Sequence, residues 1–198
     1  MLIKQKEKTE PEEESDAALV LASLAKPEAF AAIIKRYEKV LSLYIRRITN
    51  VSDDECEDIL QEVFIKSYLN LNDYNHGLKF SSWIYRITHN QVISYYRSLK
   101  ARPEGYLISI DDNEALGLAD GLNLELNIDA SLNNAKISQV LSSLDKKQRE
   151  ILVLKFLEEK SYQEISDIIK KPSGTVASSI NRAKAAFREE FKKQKIEL

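Results

Sequence analysis

The sequence predicts an all-α protein of two small helical domains, and three observations carry that prediction. Glycine and proline are scarce, 5 and 4 among 198 residues, whereas turn-rich sandwiches and barrels need many turn formers and helices avoid both residues. Apolar residues recur at steps of three and four through most of the chain, the period of an amphipathic helix. Charge is segregated: residues 101–133 carry a net charge of −6 and residues 134–198 one of +5, within a chain of net −2. Such a pattern suits separate modules joined by an acidic linker. The expected organisation is a flexible tail over 1–15, a helical domain over 16–100, a flexible linker over 101–133 and a second helical domain over 134–198.

The first long helix runs from residue 27, with Phe30, Ile33, Ile34, Tyr37, Leu41, Tyr44 and Ile48 on one stripe, and residues 50–53 interrupt it. A second helix covers about 54–71 and buries Ile59, Leu60, Val63 and Phe64; residues 72–77 read as a loop. A third begins near Ser81 or Ser82, either of which could cap it, and continues to about residue 99. Beyond Arg102 and Pro103 no period persists until Ile137, Val140, Leu141 and Leu144, so the acidic stretch between reads as linker. A helix over about 146–157 follows Asp145. Ser161 and Glu164 match a capping box that opens a short helix carrying Ile165, Ile168 and Ile169. The last helix begins around residues 171–174 and places Val176, Ile180, Ala183 and Phe187 on one side, ending near residue 192.

Several classes are disfavoured by composition. One cysteine, Cys56, can form no intramolecular disulfide, which suits a reducing cytoplasm. No segment reads as a signal peptide or a spanning helix, so no membrane insertion is expected. The two histidines, His76 and His89, have no nucleophile or metal partner in a recognisable motif, and there is no phosphate-binding glycine loop. Neither catalysis nor a cofactor is expected.

Three constellations remain. A short helix, a turn with Pro172 and Gly174, and a longer helix form a helix-turn-helix pattern. Thr175, Ala177, Ser178, Asn181, Arg182 and Lys184 could enter a major groove from its second helix, with Lys170, Lys171 and Arg188 near phosphates and Ser173 at the helix start. An ordinary helical hairpin with solvated charges is the alternative, and the +5 charge favours DNA. On the second helix Asp58, Gln61, Glu62 and Ile65 share an exposed face, which by position alone reads as a solubilising surface. On the third, Arg86, Asn90, Ile93 and Arg97 share a row among Trp83, Tyr85, Tyr95 and Tyr96; basic groups with aromatics suit unpaired bases and phosphates, while Trp83 and Tyr95 read equally well as core.

Together these motifs resemble the bacterial extracytoplasmic-function (ECF) sigma factors, over most of the chain outside the tail and linker. The run from Glu57 to Phe64 is similar to the segment that docks on the clamp helices of RNA polymerase, which implies Asp58, Gln61, Glu62 and Ile65 as polymerase contacts. The run from Phe80 to Asn90 is similar to the segment that melts and reads the minus-ten element. The loop before it resembles the one that holds a flipped base. Tyr74, Asn75, His76, Lys79, Arg86, Asn90 and Arg97 are thereby implied as minus-ten contacts. Lys171, Ser173, Thr175, Ala177, Ser178, Asn181, Arg182 and Lys184 are implied as minus-35 contacts. The resemblance further implies core RNA polymerase, promoter DNA and an anti-sigma factor as partners. Two departures stand out: Ala177 and Ser179 occupy positions that are commonly basic, and Asn75, His76 and Gly77 replace a common Arg-Gly-acid run. The other readings are a stand-alone helix-turn-helix regulator, which would bind duplex DNA without polymerase, and an enzyme, for which no paired base and nucleophile can be named.

Overall fold

A computed structural model describes residues 14–101 and 128–194, with side chains for 14–101 and 136–194. The expected tail up to residue 13 and the acidic segment 102–127 lie outside the described residues.

The described residues are helical and contain no strand. In the first half α1 is Asp16–Ala25, α2 Phe30–Ile48, α3 Asp53–Leu69 and α4 Phe80–Lys100. In the second, α5 is Ile128–Ser143, α6 Lys146–Leu152, α7 Tyr162–Ile169 and α8 Ser173–Lys193.

Local chemistry sets these boundaries. Helix α1, which the periodicity did not announce, starts where the Ser15 side chain accepts the Ala18 amide at 3.2 Å and ends before a turn opened by Pro27. It buries Leu19 and Val20 on α2. The expected stripe of α2 is buried except for Ile34, which is half-buried, and Ile45 joins it. Ser52 and Glu55 form a capping box at the start of α3, followed by three acids in the first turn that complement the helix dipole. The buried side of α3 is the expected one, extended by Cys56 and Ser67.

Three expectations need correction. Neither Ser81 nor Ser82 caps α4: the helix starts at Phe80 after Lys79, and Ser82 is buried with its hydroxyl unpaired among the described residues. The packing of Phe80 against Tyr37 and Trp83 pulls the first turn inward. The linker is not irregular to residue 133, because α5 begins at Ile128; Asn133 and Asn134 interrupt its apolar pattern and hid it. The helix from 146 is α-helical only to Leu152 and continues as a π turn over Val153–Leu157.

The halves are not independent modules. Helix α4 packs on α3 on one side and on α7 on another, and α2 meets α6 and the π turn. Within the second half, α8 lies across α5, α6 and α7 and buries Val176, Ile180 and Ala183. One core runs through both halves. Its interior is closely packed by Tyr44, Ile84, Leu154 and Ile165, all essentially inaccessible.

The turn of the helix-turn-helix takes its sharp bend at Lys170, which sits in the left-handed region at φ 51° and sends its amide to Ser166. Gly174 lies in the first turn of α8, and a Cβ there would meet open space. Lys170→Gly should therefore raise the urea midpoint, by about 1 kcal/mol of relieved left-handed strain. Gly174→Ala should stabilise by about 0.5–1 kcal/mol through helix propensity. A lower midpoint for either would contradict this account of the turn.

Candidate functional site

On α3 the residues Asp58, Gln61, Glu62 and Ile65 are all exposed on one side of the helix, opposite the row that packs on α2 and α4. None of their polar groups has a partner among the described residues. Ile65 is about half exposed, with Tyr68 and Leu69 beside it also open to solvent. A row with two carboxylates, an amide and apolar neighbours can bind a basic, partly apolar protein surface.

The loop between α3 and α4 is held from inside. Tyr74, expected to face DNA, is instead buried: its ring packs against Phe80 and Trp83, and its hydroxyl donates to the Leu78 carbonyl. Burial raises the phenol above its ordinary value. Asn75 and His76 are exposed; the Asn75 side chain accepts the Gly77 amide at 2.8 Å and the His76 ring lies edge-on to Tyr74. This Asx turn fixes a tight corner, with Asn75 and His76 at its outer edge.

Along α4 the predicted row divides. Asn90 and Arg97 are exposed, Ile93 is half-buried and Trp83 belongs to the core. Arg86 is half-buried, and its Nε and Nη2 atoms are shielded from water without a hydrogen-bond partner among the described residues. Lys79 reaches across to Glu164 of α7 at 3.0 Å. Tyr95 donates to Glu55, and Tyr96 lies under the Lys146 ammonium, 3.3 Å from the ring centre.

In the turn before α8 Lys171 is exposed, and on α8 Ser173, Thr175, Ser178, Asn181 and Arg182 are exposed, with Ala177 and Lys184 half-buried beside them. Arg182 extends toward the Ser179 hydroxyl at 3.3 Å. The helix presents small polar side chains first and cations behind, a surface that can approach a groove closely.

Sequence reasoning missed two residues. Nothing in the sequence gives Glu150 of α6 or Glu158, just after the π turn, a partner, yet both point into the seam between the halves. Tyr44 donates to Glu150 Oε1 at 2.7 Å, and His89 Nδ1 is 2.6 Å from the same oxygen. Arg47 donates to Glu158 Oε1 at 2.8 Å, and Tyr85 donates to Oε2 at 2.6 Å. Burial pushes the Tyr44 and Tyr85 phenols far up, reinforced by the facing carboxylates. Burial lowers Lys160, whose ammonium sits 4.2 Å from the Tyr85 ring centre. Arg149, also buried, donates to the Asn50 side chain at 2.8 Å and to the Leu141 carbonyl at 2.9 Å. No sequence pattern announces the pairs that cross the seam, because each of them joins residues 61 or more positions apart.

This is an all-helical protein with a helix-turn-helix, an acidic exposed row and an aromatic, basic helix. Residues 33–115 match the family described as Sigma-70 region 2, and residues 134–187 match Sigma-70, region 4. The ECF RNA polymerase sigma factor SigW of Bacillus subtilis is 36% identical, over 83% of this chain and 90% of its own. The ECF RNA polymerase sigma-E factor of Escherichia coli is 30% identical, over 81% and 85% respectively. In fold the chain is similar to CnrH, solved with the cytosolic domain of CnrY, at a TM-score of 0.64 and 21% identity, over 89% of this chain and 96% of that one. It is also similar to the sigma factor RpoE of Bartonella quintana, solved with the anti-sigma factor NepR, at 0.61 and 21%, over 82% and 96%. The chain belongs to the sigma-70 family, among the ECF sigma factors. It is an alternative sigma factor, directing RNA polymerase to promoters. Among the described residues no helix is long and apolar enough to cross a membrane.

The Glu164 carboxyl is raised by burial, but hydrogen bonds from Ser161 and the Lys79 ammonium outweigh this and bring it down to about 2. An unfolded glutamate titrates near ~4.3, so the stabilisation is full above that pH and disappears as pH falls toward 2. The urea midpoint of the native chain should drop more steeply over this window than that of Glu164→Gln. Parallel curves would contradict it.

Proposed function

We propose that the two halves divide the work of promoter opening. The exposed row on α3 is the observation that carries this reading: Asp58, Gln61, Glu62 and Ile65 lie unpaired on the side of α3 that faces away from the core. They dock the chain on core polymerase. The loop residues Asn75, His76 and Lys79 and the α4 residues Arg86, Asn90 and Arg97 hold the separated minus-ten strand, and Tyr74 positions that loop from within. Exposed Asn75 and His76 are placed to meet a base, and the cations of α4 to meet phosphates.

Helix α8 reads the minus-35 element through Ser173, Thr175, Ala177, Ser178, Asn181, Arg182 and Lys184, with Lys171 on the backbone. Small side chains at Ala177 and Ser179 leave the module few phosphate contacts, so Arg182 and Lys184 carry most of its salt-dependent affinity. The protein works in the cytoplasm, without a cofactor and without chemistry of its own. An anti-sigma factor is its regulatory partner, supported by the sigma and anti-sigma complex that shares its fold.

Reconstituted transcription by core polymerase should require this protein and a cognate promoter. Asp58→Lys or Glu62→Lys should weaken binding to core polymerase about tenfold, ~1.4 kcal/mol, with helicity unchanged because both positions are exposed. Wild-type co-purification of both variants would overturn the docking assignment. Tight duplex binding together with no effect on transcription would instead favour a stand-alone regulator.

A further inference from the structure

We propose that helix α1 is a second contact surface for core RNA polymerase, an apolar one that extends the acidic row of α3. This rests on the reading of Asp58, Gln61, Glu62 and Ile65 as the docking row.

Helix α1 is apolar on the side that faces water as well as on the side that packs. Leu19 and Val20 are buried, and the Ser23 hydroxyl donates back to the Leu19 carbonyl at 2.7 Å. Beyond Asp16 the exposed positions of the helix are Ala17, Ala18, Leu21, Ala22, Leu24 and Ala25, with no charged or polar side chain among them. Leu21 is 61% exposed and Leu24 40%. A water-facing helix ordinarily carries charge on its outer side, and one that is apolar all round is ordinarily covered. Helix α2 follows that rule, with Lys35, Glu38 and Lys39 in water. Single exposed leucines are common on any surface, but here no solvated face remains at all.

The helix is nevertheless fixed firmly. Asp16 accepts from Arg36 at 2.8 Å and from the Tyr37 hydroxyl at 2.6 Å, and the Ser15 side chain caps the first turn. An apolar surface already held in place loses little conformational freedom on binding.

Position and size together select the occupant. Helix α1 packs on α2 and touches the short 3-10 turn Leu71–Asp73 that follows α3. At this end of α3 the docking row runs on into Leu69, one turn beyond Ile65 and 69% exposed. Beside it the Tyr68 ring lies edge-on to Phe30, the first residue of α2. The apolar end of the α3 row and α1 therefore meet at one end of the first half.

Ten helical residues span about 15 Å. Their outer side falls far short of the roughly 800 Å2 per partner of a stable interface, so α1 alone cannot hold a second copy of the chain. As the margin of a surface already docked on polymerase it has only to bury a few more side chains. The acids of α3 orient the encounter, and α1 adds burial with no charge to desolvate.

The test measures binding of the full chain to core polymerase without DNA. Leu21→Glu/Leu24→Glu should weaken it at least about tenfold, ~1.4 kcal/mol, with helicity unchanged because both positions are exposed. Leu21→Cys carrying a benzophenone should crosslink to a core subunit in the complex; native Cys56 is buried, which keeps the label at position 21. The crosslink decides the matter if the glutamate variant loses helicity. Native affinity in the folded glutamate variant, or no crosslink, would overturn the proposal; if Asp58→Lys still weakens binding, the α3 row stands without α1. Loss in the glutamate variant with native affinity in Asp58→Lys would uphold α1 as a contact and remove the α3 row. A free-chain dimer that Leu21→Glu/Leu24→Glu breaks would also overturn the proposal, because α1 would then face a second copy.

Discussion

The structure depends on α4 being shared. It completes the packing of the first half against α3 and provides the wall on which α7 of the second half rests. A helix in that position cannot be amphipathic in the ordinary sense, because three of its sides have different neighbours. Its sequence shows this: Phe80, Trp83 and Ile84 serve the core, Tyr85 and His89 serve the seam, and Asn90 and Arg97 remain in water. The same element that supports the fold therefore also leaves a polar edge, at Asn90 and Arg97, open to water.

Polar pairs, rather than apolar area alone, define how the halves meet. A carboxylate taken out of water is costly unless its oxygens are satisfied. Glu158 is satisfied twice, by a guanidinium and a phenol, and Glu150 by a phenol and an imidazole nitrogen. Arg149, buried beneath α5 and α6, ties the α2–α3 corner to the second half through Asn50. Removing one member of such a set leaves its partner buried and unpaired, so the arrangement is specific.

Much of this was legible in the sequence. The stripe from Phe30 to Ile48, the row from Ile59 to Phe64 and the capping box at Ser161 follow from periodicity and local hydrogen bonding, which a linear chain displays directly. The exposed row at Asp58, Gln61, Glu62 and Ile65 was legible for the same reason, as the complement of a buried row. The burial of Tyr74 was not legible because a tyrosine in a polar loop gives no local sign of whether its ring turns inward. Helix α1 was missed because its ten residues are too short and too uniformly apolar to show a period. Glu150 and Glu158 could not be found by pattern, since their meaning comes from groups on α2 and α4 that only the tertiary structure brings near.

Helix α4 is held between α3 and α7 in the free chain. The most direct measurement is the distance between spectroscopic labels at Lys39 on α2 and Arg188 on α8, both exposed, in the free protein. One short, narrow distance is expected. A long or broad distribution in a chain of native helicity would contradict it.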